Sequence, residues 1–427
     1  MRVPYESFLA AVPDGAVRLR ELSERFEAHF GHRPTVATSG PGRTELIGNH
    51  TDHNNGRVVA AAIDADALVV AGPASTASLL SHGWPQAFTT DVTVENPEDS
   101  SYAHDTERLM AGVAAGLRRQ GHAAPAYSAV MESRVAPGSG LSSSAALEIA
   151  LAAVHGALSK EEIDPVAAAR AGQYAENAFM NKPSGLMDQT ASAVGGTVGI
   201  DFADPQQPRY HRLGLDFRSH GQRLVVVNTG GSHADLTGQY AAIPREMRQV
   251  AAALGVTMLS ETTRRELLSR LGKVRAAVGD RAVLRAFHFF DEQDRVSALI
   301  DAVDSRMYDH VLQLMQASGT SSWTLLQNVA AEGAVQEQPI ALAVEVTRTY
   351  LNARGASGVA RVHGGGFAGT MLAVIPEELI DEYHQIMSRA FGESSVTELT
   401  LGPDGMPATT LSRFRSLRLV CPASWIS

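Results

Sequence analysis

The run Val135-Ala-Pro-Gly138-Ser139-Gly140-Leu141-Ser142-Ser143-Ser144-Ala145 constrains the fold more than any other stretch of the chain. Ala126 to Val135 alternates enough for a strand, and the alanine- and leucine-rich residues 142–158 form the clearest helix. A strand that enters a long helix through a Gly/Ser turn calls for a fold mixing both element types. Further helices are expected at 16–30, 106–120, 165–181, 239–254, 260–271, 297–316, 341–354 and 377–391. Strands are expected at 36–39, 63–71, 194–202, 224–228, 360–363 and 370–375. Intermixed elements without repeats give an α+β or α/β chain. The polar break Pro205 to Pro208 divides it into halves 1–208 and 209–427.

Glycines let a backbone approach a ligand closely, and a helix start offers free N–H groups and the positive end of its dipole. The Gly138–Ser144 turn therefore suits an anion such as a phosphate. It lacks the G-K-[ST] ending of a Walker A loop and the third glycine of a dinucleotide fingerprint. Serine is also a favoured N-cap, so the run taken alone is equally compatible with a structural cap.

Three other constellations carry polar chemistry. Gly42 to Gly56 packs Arg43, Glu45, Asn49, His50, Asp52 and His53 among glycines and asparagines, ahead of the apolar run Val58 to Ile63. A loop this dense in hydrogen-bonding groups suits a polyhydroxylated small molecule. Glu176 lies on a predicted helix, and Asp188 follows the Pro183-Ser184-Gly185 turn. Two such carboxylates can divide metal binding from handling the proton of an attacking hydroxyl, although a solvated helix residue and a helix cap would look the same. His363-Gly364-Gly365-Gly366-Phe367 lies between two strand candidates, as a nest or a plain turn.

Composition narrows the partners. The chain has 427 residues, a net charge of −10 and a pI near 5.8. That acidity argues against nucleic acid, whereas phosphates held by backbone amides and a metal remain open. A single cysteine, Cys421, allows no intrachain disulfide and suits a reducing compartment. The N-terminus lacks the apolar core of a secretory signal, and no apolar run approaches a membrane span. A cytoplasmic location is expected, without membrane or nucleic-acid partners; monomer is a plausible state.

These motifs resemble those of the galactokinases within the GHMP kinase superfamily. Gly42 to Gly56 is similar to G-R-V-N-L-I-G-E-H-T-D-Y-N-x-G, departing at Thr44, Glu45, Asn49 and His53. The run from Val135 to Leu147 resembles P-x-x-x-G-L-S-S-S-A, and Gly185 to Gln189 resembles G-I-M-D-Q, with A-E-N-x-F upstream. The run from His363 resembles T-G-G-G-F-G-G, with His363 for threonine and Ala368 for glycine.

The resemblance implies an α+β, two-lobed GHMP kinase fold. Its N-terminal lobe would be like ribosomal protein S5 domain 2 and its C-terminal lobe ferredoxin-like. It implies an ATP-dependent sugar 1-kinase, with Asp188 and Arg43 catalytic. Ser144 and Glu176 would hold Mg²⁺, and Gly138, Ser139, Gly140, Leu141, Ser142 and Ser143 would join Ser144 in cradling ATP. Asn49, His50, Asp52, Gly185 and Tyr240 would bind the sugar. Galactose is the expected substrate. Because Asn49 stands where the motif has glutamate, a galacturonate kinase is the alternative: an amide adds donors and removes like-charge repulsion against a C6 carboxylate. A non-catalytic sugar sensor is the alternative of another class, disfavoured by the presence of Arg43, Ser144, Glu176 and Asp188.

Overall fold

The structure is a computed structural model that describes residues 2–136, 138–231, 236–367, 369–402 and 405–411. Cys421 and Ala368 lie outside the described residues. Two sheets organise them. The larger runs in the order 408–410, Val36–Ile47, Arg57–Pro73, Tyr127–Ser133, Ala77–Ser81, Phe88–Thr90, with Thr197–Asp201 also paired to Arg57–Pro73 and carrying Arg209–Leu213. The smaller is antiparallel throughout, in the order Val396–Leu399, Gln222–Asn228, Thr370–Pro376, Val359–Val362.

The two sheets share a core. Along Gln222–Asn228, Leu224 and Val226 join the apolar cluster of the larger sheet, while Val225 and Val227 join a second cluster beneath helices Pro339–Ala353 and Ile380–Phe391. That alternation follows from the period of two along a strand. The proposed division at 208 does not follow the sheets. Arg209–Leu213 and the strand at 408–410 both pair into the larger sheet, because hydrogen-bonding partners, not the Pro205–Pro208 break, decide membership.

Two further expectations are corrected. The strand expected at 36–39 runs to Ile47, so it includes Arg43 and Glu45. Register shifts between Pro41 and Arg43 and between Glu45 and Ile47 let this polar, glycine-containing stretch keep pairing. Only Gly48 to Gly56 is a loop. The helix expected at 297–316 is two helices, Asp280–Asp304 and Tyr308–Ser321, separated at Arg306 with φ 57°. The separating residues, Ser305, Arg306 and Met307, carry no Gly/Pro signal, so apolar spacing reads straight through them.

Helix Ser143–Ser159 is buried along most of its length and lies directly on the Val36–Ile47 strand. Gly40 makes this possible, since a Cβ there would stand 2.0 Å from Ala146 O. Thr38 Oγ1 donates to Ala150 O at 3.0 Å, and Arg43 N donates to Leu141 O at 3.1 Å. Helix Ser143–Ser159 and the turn before it are thus stitched to the strand bearing Arg43. Among the described residues, no helix is long and apolar enough to cross a membrane.

Candidate active site

Arg43 is the centre of the arrangement. Its Nε donates to Asp188 Oδ1 at 2.6 Å, its Nη2 pairs with Asp188 Oδ2, and its Nη1 donates to Gly140 O. Asp188 sits in the first turn of helix Met187–Val194. Burial pushes its carboxyl upward, but the Arg43 guanidinium and the Ser142 hydroxyl outweigh burial and hold it below the ordinary aspartate value. The carboxylate is therefore ionised, well oriented and only weakly basic.

Ser142 separates the functional reading of the phosphate loop from the structural one. It is the N-cap residue of helix Ser143–Ser159, yet it has φ 58° and makes no capping bond. Its hydroxyl donates to Asp188 instead. The helix start consequently keeps its N–H groups uncapped by a side chain, as an anion site requires.

Ser144 and Glu176 also come together. Ser144 Oγ donates to Glu176 Oε1 at 2.9 Å. Gln189 Nε2 donates to Glu176 Oε2 at 3.1 Å and to Glu148 Oε2 at 3.0 Å. Burial, reinforced by Glu176, pushes the Glu148 carboxyl well above its ordinary value. A hydroxyl and a carboxylate are hard oxygen donors of the kind Mg²⁺ takes beside nucleotide phosphates. Among the described residues there is no group of three His, Cys, Asp or Glu side chains that could hold a metal by itself. That donor set suits a metal arriving with a nucleotide, not an all-protein cage.

The sugar-motif candidates face the glycine turn. Asn49 Nδ2 donates to Gly364 O at 2.7 Å and to Glu45 Oε2 at 2.8 Å, while its Oδ1 accepts from Asn328 Nδ2 at 2.8 Å. His50 Nε2 lies 3.1 Å from Gly365 O, and Tyr240 Oη donates to Gly366 O at 3.0 Å. Each of the three glycine carbonyls thus meets a candidate sugar residue. Burial pushes His50 down to about 4, so its ring is neutral and Nε2 carries the proton it donates to Gly365 O. With both amide hydrogens of Asn49 engaged, this geometry gives it no free donor for a C6 carboxylate. Asp52 Oδ1 accepts from His53 N at 3.0 Å, and its Oδ2 is directed at Gly185.

Departures from the family motif contact one another. Glu45 and Asn49 are hydrogen-bonded, and Glu45 Oε1 forms a buried ion pair with Arg361 Nη2 at 2.7 Å. Thr44 Oγ1 lies 3.0 Å from His363 Nε2, and His363 Nδ1 lies 3.2 Å from Thr370 Oγ1. Burial, aided by Arg43 and Arg361, pushes His363 down to about 3. A neutral histidine therefore ties the glycine turn to the strand of Arg43.

Sequence reasoning passed over several of these groups. Lys182, whose ammonium reaches Glu176, was detectable as the only charged residue between Glu176 and Asp188. His288 Nε2 lies 2.9 Å from Asn49 O, and buried Glu292 accepts from Gly48 N at 2.9 Å. Nothing local marks these two, because they act from a helix more than 230 residues away.

This fold and this site define a GHMP kinase. Residues 108–196 match the GHMP kinases N terminal domain, and residues 24–73 match the galactokinase galactose-binding signature. The chain is 30% identical over 377 residues to a galactokinase of Streptomyces coelicolor, covering 88% of this chain and 93% of the relative. A galactokinase of Mycobacterium tuberculosis is 29% identical over 358 residues, covering 83% and 93%. Among solved structures, Lactococcus lactis galactokinase complexed with galactose has the same fold, with TM-score 0.77 at 21% identity over 91% of this chain and 99% of that one. L. major mevalonate kinase in complex with R-mevalonate superposes with TM-score 0.57 at 16% identity, covering 86% and 96%. The chain belongs to the galactokinase family.

Proposed function

We propose that the chain transfers the γ-phosphoryl group of ATP to the anomeric hydroxyl of D-galactose, giving galactose 1-phosphate and ADP. The observation that carries this reading is the Arg43 fork, which binds Asp188 and the carbonyl of Gly140 in the phosphate loop at once. It fixes the carboxylate beside the place where a triphosphate would lie.

The sugar hydroxyl oxygen forms a bond to the γ-phosphorus as the bond to the β,γ-bridging oxygen breaks, and the electron pair leaves on ADP. The hydroxyl proton passes to Asp188. A weakly basic carboxylate suits a loose phosphoryl transfer, in which the proton leaves late and positioning contributes most. Arg43 keeps Asp188 ionised and stabilises charge on the moving phosphoryl. Gly138 to Ser144 cradle the phosphates with backbone N–H groups and hydroxyls. Ser144 and Glu176 would hold Mg²⁺, which would neutralise charge on the nucleotide phosphates.

Asp52 is the acceptor for sugar hydroxyls, beside Gly185. Asn49, His50 and Tyr240 shape that pocket through their bonds to the glycine turn. This supports galactose over galacturonate, since Asn49 has no spare donor and Glu45 places a carboxylate next to it.

Turnover with labelled ATP across galactose, galacturonate and other hexoses tests the reading. Galactose phosphorylation is expected. Tight sugar binding without phosphoryl transfer to any sugar would establish a sensor instead. Asp188→Ala is expected to remove turnover by at least about a hundredfold while ATP still binds; retained turnover refutes its role.

A further inference from the structure

Glu176 has more partners than a metal ligand can keep. Lys182 Nζ and Ser144 Oγ share Oε1, and Gln189 Nε2 takes Oε2. The backbone brings Lys182 there. The helix that carries Glu176 ends in a wider turn over Ala175–Phe179, with Met180 N bonded to Ala175 O at 3.2 Å. Asn181 follows with φ 51°, and Lys182 N then donates to Glu176 O at 2.9 Å. Glu176 is accordingly contacted by both the backbone and the ammonium of one residue.

The two ends of this ion pair differ in freedom. The Glu176 side chain is 3% exposed, whereas that of Lys182 is 57% exposed. The carboxylate is fixed by Ser144 and Gln189, while the lysine stem lies in solvent and can swing without moving the backbone. Burial of the head works against the ammonium, but the Glu176 carboxylate outweighs it and keeps lysine charged, with Asp188 and Glu148 adding in the same direction.

Ser144 and Lys182 already occupy the two lone pairs of Oε1, so a divalent cation bonding that oxygen displaces the ammonium it repels. Phosphate oxygens, however, are good partners for a lysine acting as a mobile point charge. We propose that Lys182 is a nucleotide-binding residue that exchanges between Glu176 and the polyphosphate: Mg²⁺ arriving with ATP takes the Glu176 oxygen, and the displaced ammonium moves onto the phosphates. The exchange leaves Glu176 paired with a cation throughout. It makes the metal site weak for a bare divalent ion and strong for the metal–nucleotide complex. This rests on the kinase reading above.

The test uses the full chain and two probes. Mn²⁺ alone is titrated into nucleotide-free protein by electron paramagnetic resonance, and Mg²⁺ with a non-hydrolysable ATP analogue is titrated by calorimetry. Relative to wild type, Lys182→Met is expected to bind bare Mn²⁺ roughly tenfold tighter and the metal–nucleotide complex roughly tenfold weaker, the size of one hydrogen bond to a charged group. Lys182→Arg is expected to retain most of the nucleotide affinity. Opposite signs in the two arms are the signature, because a merely structural lysine would weaken both together. Both affinities falling, or neither changing, overturns the exchange. Wild type failing to bind the metal–nucleotide complex removes the kinase reading itself.

Discussion

Replacing Gly185 by alanine should damage sugar binding while sparing ATP binding. A Cβ at 185 would stand 1.8 Å from Asp52 Oδ2 and 2.7 Å from Asp52 Cγ. Non-bonded heavy atoms need about 3.5 Å, so the carboxylate must withdraw by well over an ångström. The backbone beneath it cannot follow easily, because Asn54 N and Gly56 N both donate to Thr51 O at 3.0 Å. Asp52 must therefore rotate, which breaks the bond from His53 N. The cost to the fold is one part-buried hydrogen bond, about 1 kcal/mol. The cost to a sugar losing a charge-assisted bond is about 1.5–3 kcal/mol, or roughly 10- to 150-fold in the KM for galactose. Steady-state kinetics with each substrate varied in turn provides the assay. The KM for ATP should stay within about twofold, since Asp52 does not reach the phosphate loop. The double variant with Asp52→Ala should be no worse than Asp52→Ala alone, because both act through one carboxylate. A sugar KM near wild type, or sugar and ATP constants rising together, would refute the placement of Asp52.

Glu45→Gln leaves Arg361 buried without its anion and should cost about 3–5 kcal/mol of stability by chemical denaturation; a loss under about 1 kcal/mol would show that the pair is not desolvated. Thr44→Val and His363→Thr each restore the family residue, and a double-mutant cycle should give a coupling of about 1 kcal/mol for their shared hydrogen bond; additivity would contradict the contact. His363 is lowered from 6.5 to about 3 by burial first and the neighbouring arginines second. Its contribution to stability is full above the unfolded value and is lost as pH falls, because the unfolded chain takes up the proton first. Between about pH 6 and 4 the wild type should lose up to about 1.4 kcal/mol per pH unit more than His363→Thr; parallel stability curves would mean that the ring is solvated.

Much of the site is legible in the linear order of residues because its chemistry is carried by short runs. Gly138 to Ser144 needs a strand before it and a helix after it, and both are visible in local periodicity. Arg43 and Asp188 are named by their motifs, although 145 residues separate them. Sequence could not say that Ser142 forgoes its cap for Asp188, because a capping serine and a catalytic-site serine look identical until the turn is built. Nor could local polarity show that the strand at Val36 continues through Arg43 to Ile47, since its pairing depends on Arg57–Pro73 and on two register shifts.

The residues Asn49, Glu45, Thr44 and His363 draw the line most clearly. The amino-acid sequence alone determined the family, the Gly/Ser turn before the long helix and the departures from the family's pattern, because each is a matter of which residue stands at which spacing. Only the tertiary structure decided what the departures do. Folding buries Asn49 between Glu45 and Gly364 and places His363 against Thr44. Contacts spanning more than 300 positions are fixed by the packing of the two sheets and leave no periodic trace in the chain. An amide that reads in sequence as a donor for the sugar is, once packed, committed to the protein.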